Sequence, residues 1–102
     1  MEKERRVDWM CIGIRKIAET DKFAEYEFFS DVREPDPKFK NRWIVVGQNQ
    51  GVLTIDKVTG EVSLVKAMLE DNDNKRFHSA GLKIREHWEL GEYPKMTSHI
   101  SG

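Results

Sequence analysis

Apolar residues recur along this chain first with a period of two and later with a period of three to four. In FAEYEFFSD (residues 23–31), Ala24, Tyr26 and Phe28 alternate with Glu25 and Glu27. That alternation marks a strand with one wet face. WMCIGIRKI (9–17) is β-branched and aromatic and reads as a strand before it. RWIVVGQ (42–48), GVLTID (51–56) and EVSLVKAM (61–68) complete a set of five. AETDK separates the first two. VREPDPKFKN carries Pro35 and Pro37, which lack a ladder donor and restrict their neighbours, so it reads as a loop. Gln48-Asn49-Gln50-Gly51 has the composition of a tight hairpin turn between the third and fourth strands.

The period then changes. Phe77, Ala80, Gly81, Ile84 and Trp88 form one helical stripe. Asn72, Asp73 and Asn74 precede it as capping residue types, Gly91 stands where a C′ glycine belongs, and Pro94 bars continuation. The helix is placed at about 73–90. Residues 1–7 read as a charged lead and 95–102 as a tail. The fold class is α+β: an antiparallel β-meander of about five strands, with one C-terminal amphipathic helix on one face. At 102 residues the chain is expected to be a single domain.

IDKVTGEVSL (55–64) puts an aspartate ahead of Lys-Val-Thr-Gly. A phosphorylatable aspartate of the P-type ATPase kind needs Asp-Lys-Thr-Gly without interruption and a large α/β domain; Val58 breaks the run and the chain is too short. A hairpin corner accounts for every residue. Asp56 accepts backbone N–H groups in an Asx turn, and Gly60 takes the left-handed position.

Charged residues are 34% and ten aromatics supply large buried area, which excludes disorder. The net charge of −1 argues against nucleic-acid binding. No apolar run spans a membrane, the N-terminus lacks the apolar core of a signal peptide, and Cys11 is the lone cysteine, so a reducing, cytoplasmic setting is expected. The charge is uneven: residues 18–37 hold seven acids and two bases, while 38–66 hold five bases and two acids.

No catalytic constellation appears. Cys11 sits between Met10 and Ile12 and reads as a small buried hydrophobe. His78 and His87 are nine apart and cannot converge from one helix, and neither H-x-x-x-H nor C-x-x-C occurs, so no metal site is expected. No glycine-rich phosphate loop is present, and no cofactor is implied. The informative cluster is acidic. Glu19, Asp21, Glu25, Glu27, Asp31, Glu34 and Asp36, with Phe29 among them, are the candidate partner-binding residues. Solvated outer-strand carboxylates explain some of them. A negative patch with an embedded aromatic instead suits a basic protein partner.

From Gly51 onward, GVLTIDKVTGEV and AGLKIREHWELGEYPKMT resemble small bacterial immunity-type proteins encoded beside polymorphic or contact-dependent toxins. The matching positions are Asp56, Thr59, Gly60, Glu61, Val62, Ala80, Lys83, His87, Trp88, Gly91, Glu92, Pro94 and Thr97. The resemblance covers about half the chain and rests on structural residues. It implies a non-enzymatic protein that neutralises a cognate toxin, often a nuclease with a basic active site. The alternative is a homodimeric structural module: RWIVVG is the most apolar strand and invites self-pairing if it forms an edge.

Overall fold

The computed structural model describes residues 6–7, 11–69 and 72–100. The elements run β1 (Arg6–Val7), β2 (Cys11–Glu19), β3 (Phe23–Pro35), β4 (Trp43–Asp56), β5 (Val62–Lys66), a 3₁₀ turn (Asn72–Asn74), α1 (Lys75–Glu89) and β6 (Met96–Ile100). The sheet has the order β5-β4-β3-β2-β6, every pair antiparallel, and β1 continues the β2 side of β3. The helix lies on one face. The α+β class with an antiparallel sheet and one helix is therefore the observed architecture, and five strands form its main path. Trp9, Met10 and residues 1–5 of the lead lie outside the described residues, as does the side chain of Cys11.

Four strands differ from expectation: β1 forms at Arg6–Val7 within the charged lead, β3 runs on to Pro35 into the stretch read as a loop, and β4 and β6 depart further. QNQG is not a turn: β4 runs unbroken through it for 14 residues. Its turn-type residues serve non-local contacts. Gly51 is the cross-strand partner of Phe28, whose ring occupies the space a Cβ there would need. The Asn49 amide faces the chain beyond β5, donating to Leu69 O and accepting from Leu69 N–H at 3.1 Å. The supposed tail is also ordered, since residues 96–100 pair with β2 in the register Ile14↔Thr97.

The core forms between the helical stripe and the inner face of the sheet. Ile12, Ile14, Ala24, Tyr26, Phe28, Leu53 and Ile55 meet Ala80 and Ile84, all essentially without solvent exposure. Phe77 and Trp88 dock beside them as the stripe anticipates. Alternation on β3 is strict from Ala24 to Val32 and then ends. Tyr26 Oη donates to Pro94 O at 3.1 Å, which secures the exit from the helix, and burial pushes its phenol up to about 12.

The helix ends in a Schellman turn. Gly91 N–H donates to Trp88 O and Glu92 N–H to His87 O, both at 2.9 Å, with Gly91 at φ 72. At the other end Asp73 and Asn74 are left-handed, and Asn74 makes no side-chain cap.

The Asp56 corner is a hairpin turn, and the helix docks on it. Asp56 Oδ1 accepts Val58 N–H at 2.8 Å and Thr59 N–H at 3.1 Å. Gly60 adopts φ 76, and its N–H donates to Asp56 O. Trp88 lies flat on Gly60, and its indole N–H donates to Lys57 O at 2.8 Å. Lys57 N–H in turn donates to Lys22 O at 2.8 Å, joining this turn to the β2–β3 turn.

β3 and β4 are about 43–46 Å long at ~3.3 Å per residue, whereas the 15-residue helix spans about 22 Å. The molecule is accordingly elongated, 51 × 23 × 20 Å, with a radius of gyration of 15.3 Å against about 13 Å for a compact chain of this size. The outer third of the β3–β4 hairpin projects beyond the helix as an arm. Among the described residues no helix is long and apolar enough to cross a membrane.

Two outcomes test this account. A Cβ at Gly60 would lie 2.6 Å from the Trp88 ring, whereas one at Gly91 meets nothing within 4 Å. Both glycines are left-handed, so Gly91→Ala reports strain alone and Gly60→Ala adds overpacking. Urea midpoints at constant m should show a loss of about 1 kcal/mol for Gly91→Ala and roughly 2–4 kcal/mol for Gly60→Ala. For Tyr26 the folded pKa lies above the unfolded value of 10.0, so its contribution is fully present below pH 10 and is lost between pH 10 and about 12. Tyr26→Phe should cost about 1 kcal/mol near neutrality. It should also flatten the alkaline fall in stability over that window, measured by denaturation at stepped pH.

Candidate functional site

The helix covers one face of the sheet and leaves the other open. Strand parity assigns Arg15 of β2, Glu25, Glu27, Phe29 and Asp31 of β3, and Gln48, Gln50, Val52 and Thr54 of β4 to the open face. Met96 of β6 lies across from Arg15, and Lys66 of β5 across from Val52.

The centre of this face is braced. Phe29 and Gly13 are direct cross-strand partners, and the Phe29 ring lies over the glycine, where a Cβ would collide with it. The Arg15 guanidinium stands 5.3 Å from the ring centroid and donates to Glu27 Oε1. Gln50 Nε2 reaches the same oxygen at 3.4 Å. Arginine, aromatic and carboxylate are thus locked together on a flat surface, a composition enriched at protein interfaces.

Of the eight anticipated residues, the sheet brings together four: Glu25, Glu27, Phe29 and Asp31. The rest lie elsewhere. Glu19 closes β2, bound by Lys16 at 2.9 Å and Lys57 at 3.5 Å. Asp21 is exposed in the β2–β3 turn. Glu34 has the opposite parity to the four. Asp36 is taken up by the arm's turn, where it accepts Lys38 N–H at 2.8 Å and faces Arg42 Nε at 3.7 Å. Glu25 and Asp31 carry no ion pair among the described residues. The face is mixed in charge: by the same parity Arg33 joins Arg15 and Lys66 beside the three carboxylates, two residues on from Asp31. Arg15, Gln50 and Met96 were missed as members of the site; residues 9–17 read as a strand, but nothing in the sequence assigned Arg15 a face or a partner.

The helix end holds a second polar cluster. His87 Nδ1 lies 3.2 Å from Glu92 Oε2, and Nε2 lies 3.0 Å from Thr97 Oγ1. Carboxylate, imidazole and hydroxyl in that order is the sequence of a hydrolase triad. Here Thr97 sits within the β2–β6 ladder opposite fully buried Ile14, on the face that meets the helix. The cluster therefore pins the helix end to β6. His78 is exposed. Among the described residues no three His, Cys, Asp or Glu side chains gather to hold a metal ion.

No protein family, curated protein or solved structure matches the chain in comparisons with known proteins.

The hydrogen bond from Lys16, with the charges of Lys16 and Lys57, holds the Glu19 carboxyl below its ordinary value of 4.5. A lowered folded pKa contributes stability above pH 4.5 that disappears as pH falls through the folded value. Glu19→Gln should lower the urea midpoint at pH 7 and match the wild type once the pH is below that value. Equal midpoints at both pH values would show that the pairing contributes nothing.

Proposed function

We propose that the protein is a non-catalytic inhibitor of the immunity type, which neutralises a cognate toxin domain in the cytoplasm by laying the open face of its sheet over it. One observation carries this reading. The face away from the helix has a centre in which arginine, aromatic ring and carboxylate touch one another, and among the described residues Glu25 and Asp31 carry no ion pair. A braced centre loses little side-chain freedom on binding, and unpaired rim charges steer a basic partner and reject others. Occlusion is then steric and electrostatic, and the protein performs no chemistry.

The geometry refines which acids matter. Glu19, Glu27 and Asp36 hold the fold through Lys16, Arg15 and Arg42, so reversing them would perturb structure before binding. Glu25 and Asp31 are the informative pair. Titration of the protein against the product of the adjacent upstream gene should give a tight complex whose association slows with salt. Glu25→Lys with Asp31→Lys should weaken it at least 100-fold, about 2.7 kcal/mol. Unchanged affinity in the double variant would remove the open face from the interface. Absence of binding to that gene product would remove the inhibitor reading itself.

A further inference from the structure

The ladder between β2 and β3 slips by one residue near the end of β2. Lys16 faces Tyr26 and Ala18 faces Glu25, so Ile17 is the extra residue of a bulge. A bulge re-aims the side chain it carries. Ile12 and Ile14, earlier on the same strand, are fully buried, whereas Ile17 is 45% exposed. Met96, the first residue of β6, is paired with Arg15 and is 58% exposed. Both line one open groove of about 500 Å³, and all of its lining residues are among the described ones.

The groove has a definite chemistry. Ile17, Ala18 and Met96 give it apolar walls. Arg15 and Lys16 add to them, and their charged ends are already engaged, Arg15 by Glu27 and Lys16 by Glu19 and Tyr93 O. Their methylene stems are what remains to offer a ligand. Glu19, the groove's acid, is held by Lys16 and by Lys57 at 3.5 Å. Lys95 differs. Its carbonyl accepts Lys16 N–H at 2.9 Å, which fixes its backbone beside β2, and among the described residues its side chain makes no ion pair. The unmet requirements of the groove are therefore one apolar group and one anion.

We infer that this groove is an anchor site for a protein partner. It takes an aliphatic side chain against Ile17 and Met96, with the carboxylate of the neighbouring residue at Lys95 Nζ. Arg15 and Met96 lie on the open face, and Ala18 is the cross-strand neighbour of Glu25. The groove is thus continuous with the surface assigned to the toxin domain. Its charge requirement is opposite in sign to that of Glu25 and Asp31, so the partner presents an acid at the groove and bases beyond it. That fixes the partner's orientation and rejects a uniformly basic surface. Protein interfaces concentrate their binding energy in a few side chains that fill pockets within a polar surround. A phosphate-rich surface would satisfy Lys95 but would leave the apolar walls in water. The inference rests on the inhibitor reading for the identity of the partner; the chemistry of the groove rests on its own residues.

Nuclear magnetic resonance of the full chain, labelled at its methionine methyls, tests the groove without the partner. Acetyl-leucyl-aspartyl amide should shift the Met96 signal saturably at about 1–10 mM and leave that of buried Met68 unchanged. Acetyl-leucyl-lysyl amide should bind about 10-fold more weakly, and Lys95→Glu should reverse the preference. No Met96 shift up to about 20 mM, or an equal response to both peptides, overturns the inference. Against the upstream gene product, Ile17→Ser with Met96→Ser should weaken binding about 30-fold with an unchanged circular dichroism spectrum. If Glu25→Lys with Asp31→Lys weakens that complex and the groove pair does not, the anchor is overturned and the inhibitor reading stands. If the gene product does not bind at all, the inhibitor reading falls and the dipeptides alone decide the groove.

Discussion

A single helix has one apolar stripe, and that stripe covers only as much sheet as its length allows. Most of this structure follows from that constraint, because the two central strands are nearly twice as long as the helix. Where α1 lies over the sheet, alternation is strict and the inner residues exclude water. Past Val32 on β3, and before Asn49 on β4, the same two strands continue but the strict alternation of buried residues is lost. The boundary is sharp because burial of aliphatic and aromatic side chains is the dominant favourable term, and it requires a second layer. Beyond it the hairpin is held by its own ladder, the β1 pairing and the Asp36 turn.

The helix is fixed at its C-terminal end. Trp88 lies on Gly60 and donates to Lys57, and Lys57 N–H reaches across to the β2–β3 turn. The Lys57 side chain pairs with Glu19 and stands 4.6 Å from the Tyr93 ring centroid. Lys16 Nζ donates to Tyr93 O, and His87 pins Thr97. Two turns, the helix end and the start of β6 are thereby bound into one assembly. Most of these bonds use main-chain groups, which are obligatory partners when buried and so define position tightly. Asp56, Gly60, His87, Trp88, Gly91 and Thr97 all belong to this assembly, which seats the helix on the hairpin.

What could be read from the sequence was what is decided locally. The Asp56 corner is fixed by hydrogen bonds within five residues, and the helix by spacing of three and four, so both were legible. The alternation that puts Glu25, Glu27 and Phe29 on one face was legible for the same reason. Gln48 to Gly51 was misread because Asn49 and Gly51 are chosen by Leu69 and Phe28, which are distant in sequence. Residues 96–100 looked like a tail because their only reason to be extended is the free edge of β2 at the other end of the chain. The candidate site was half legible. The sequence placed Glu25, Glu27 and Phe29 on one face but did not show that Arg15, Lys57 and Arg42 would come from other strands and turns, and Lys16 from the same strand, to engage Glu27, Glu19 and Asp36.

Those arrivals change what the acidic segment means. A count of seven acids against two bases describes a negative stretch of chain, but folding brings bases from elsewhere to three of those acids. On the open face the acids that remain are Glu25, which faces Thr54, and Asp31, which faces Gln48; Glu27 also faces a neutral β4 residue, Val52, but Arg15 reaches it from β2. What separates Glu27 from Glu25 is therefore β2, which sets Arg15 beside Glu27 and Ala18 beside Glu25. β4 carries no charge from Trp43 to Ile55 and offers neither acid a partner, so the strand on the other side decides which of the two is paired and which is left to act at a distance.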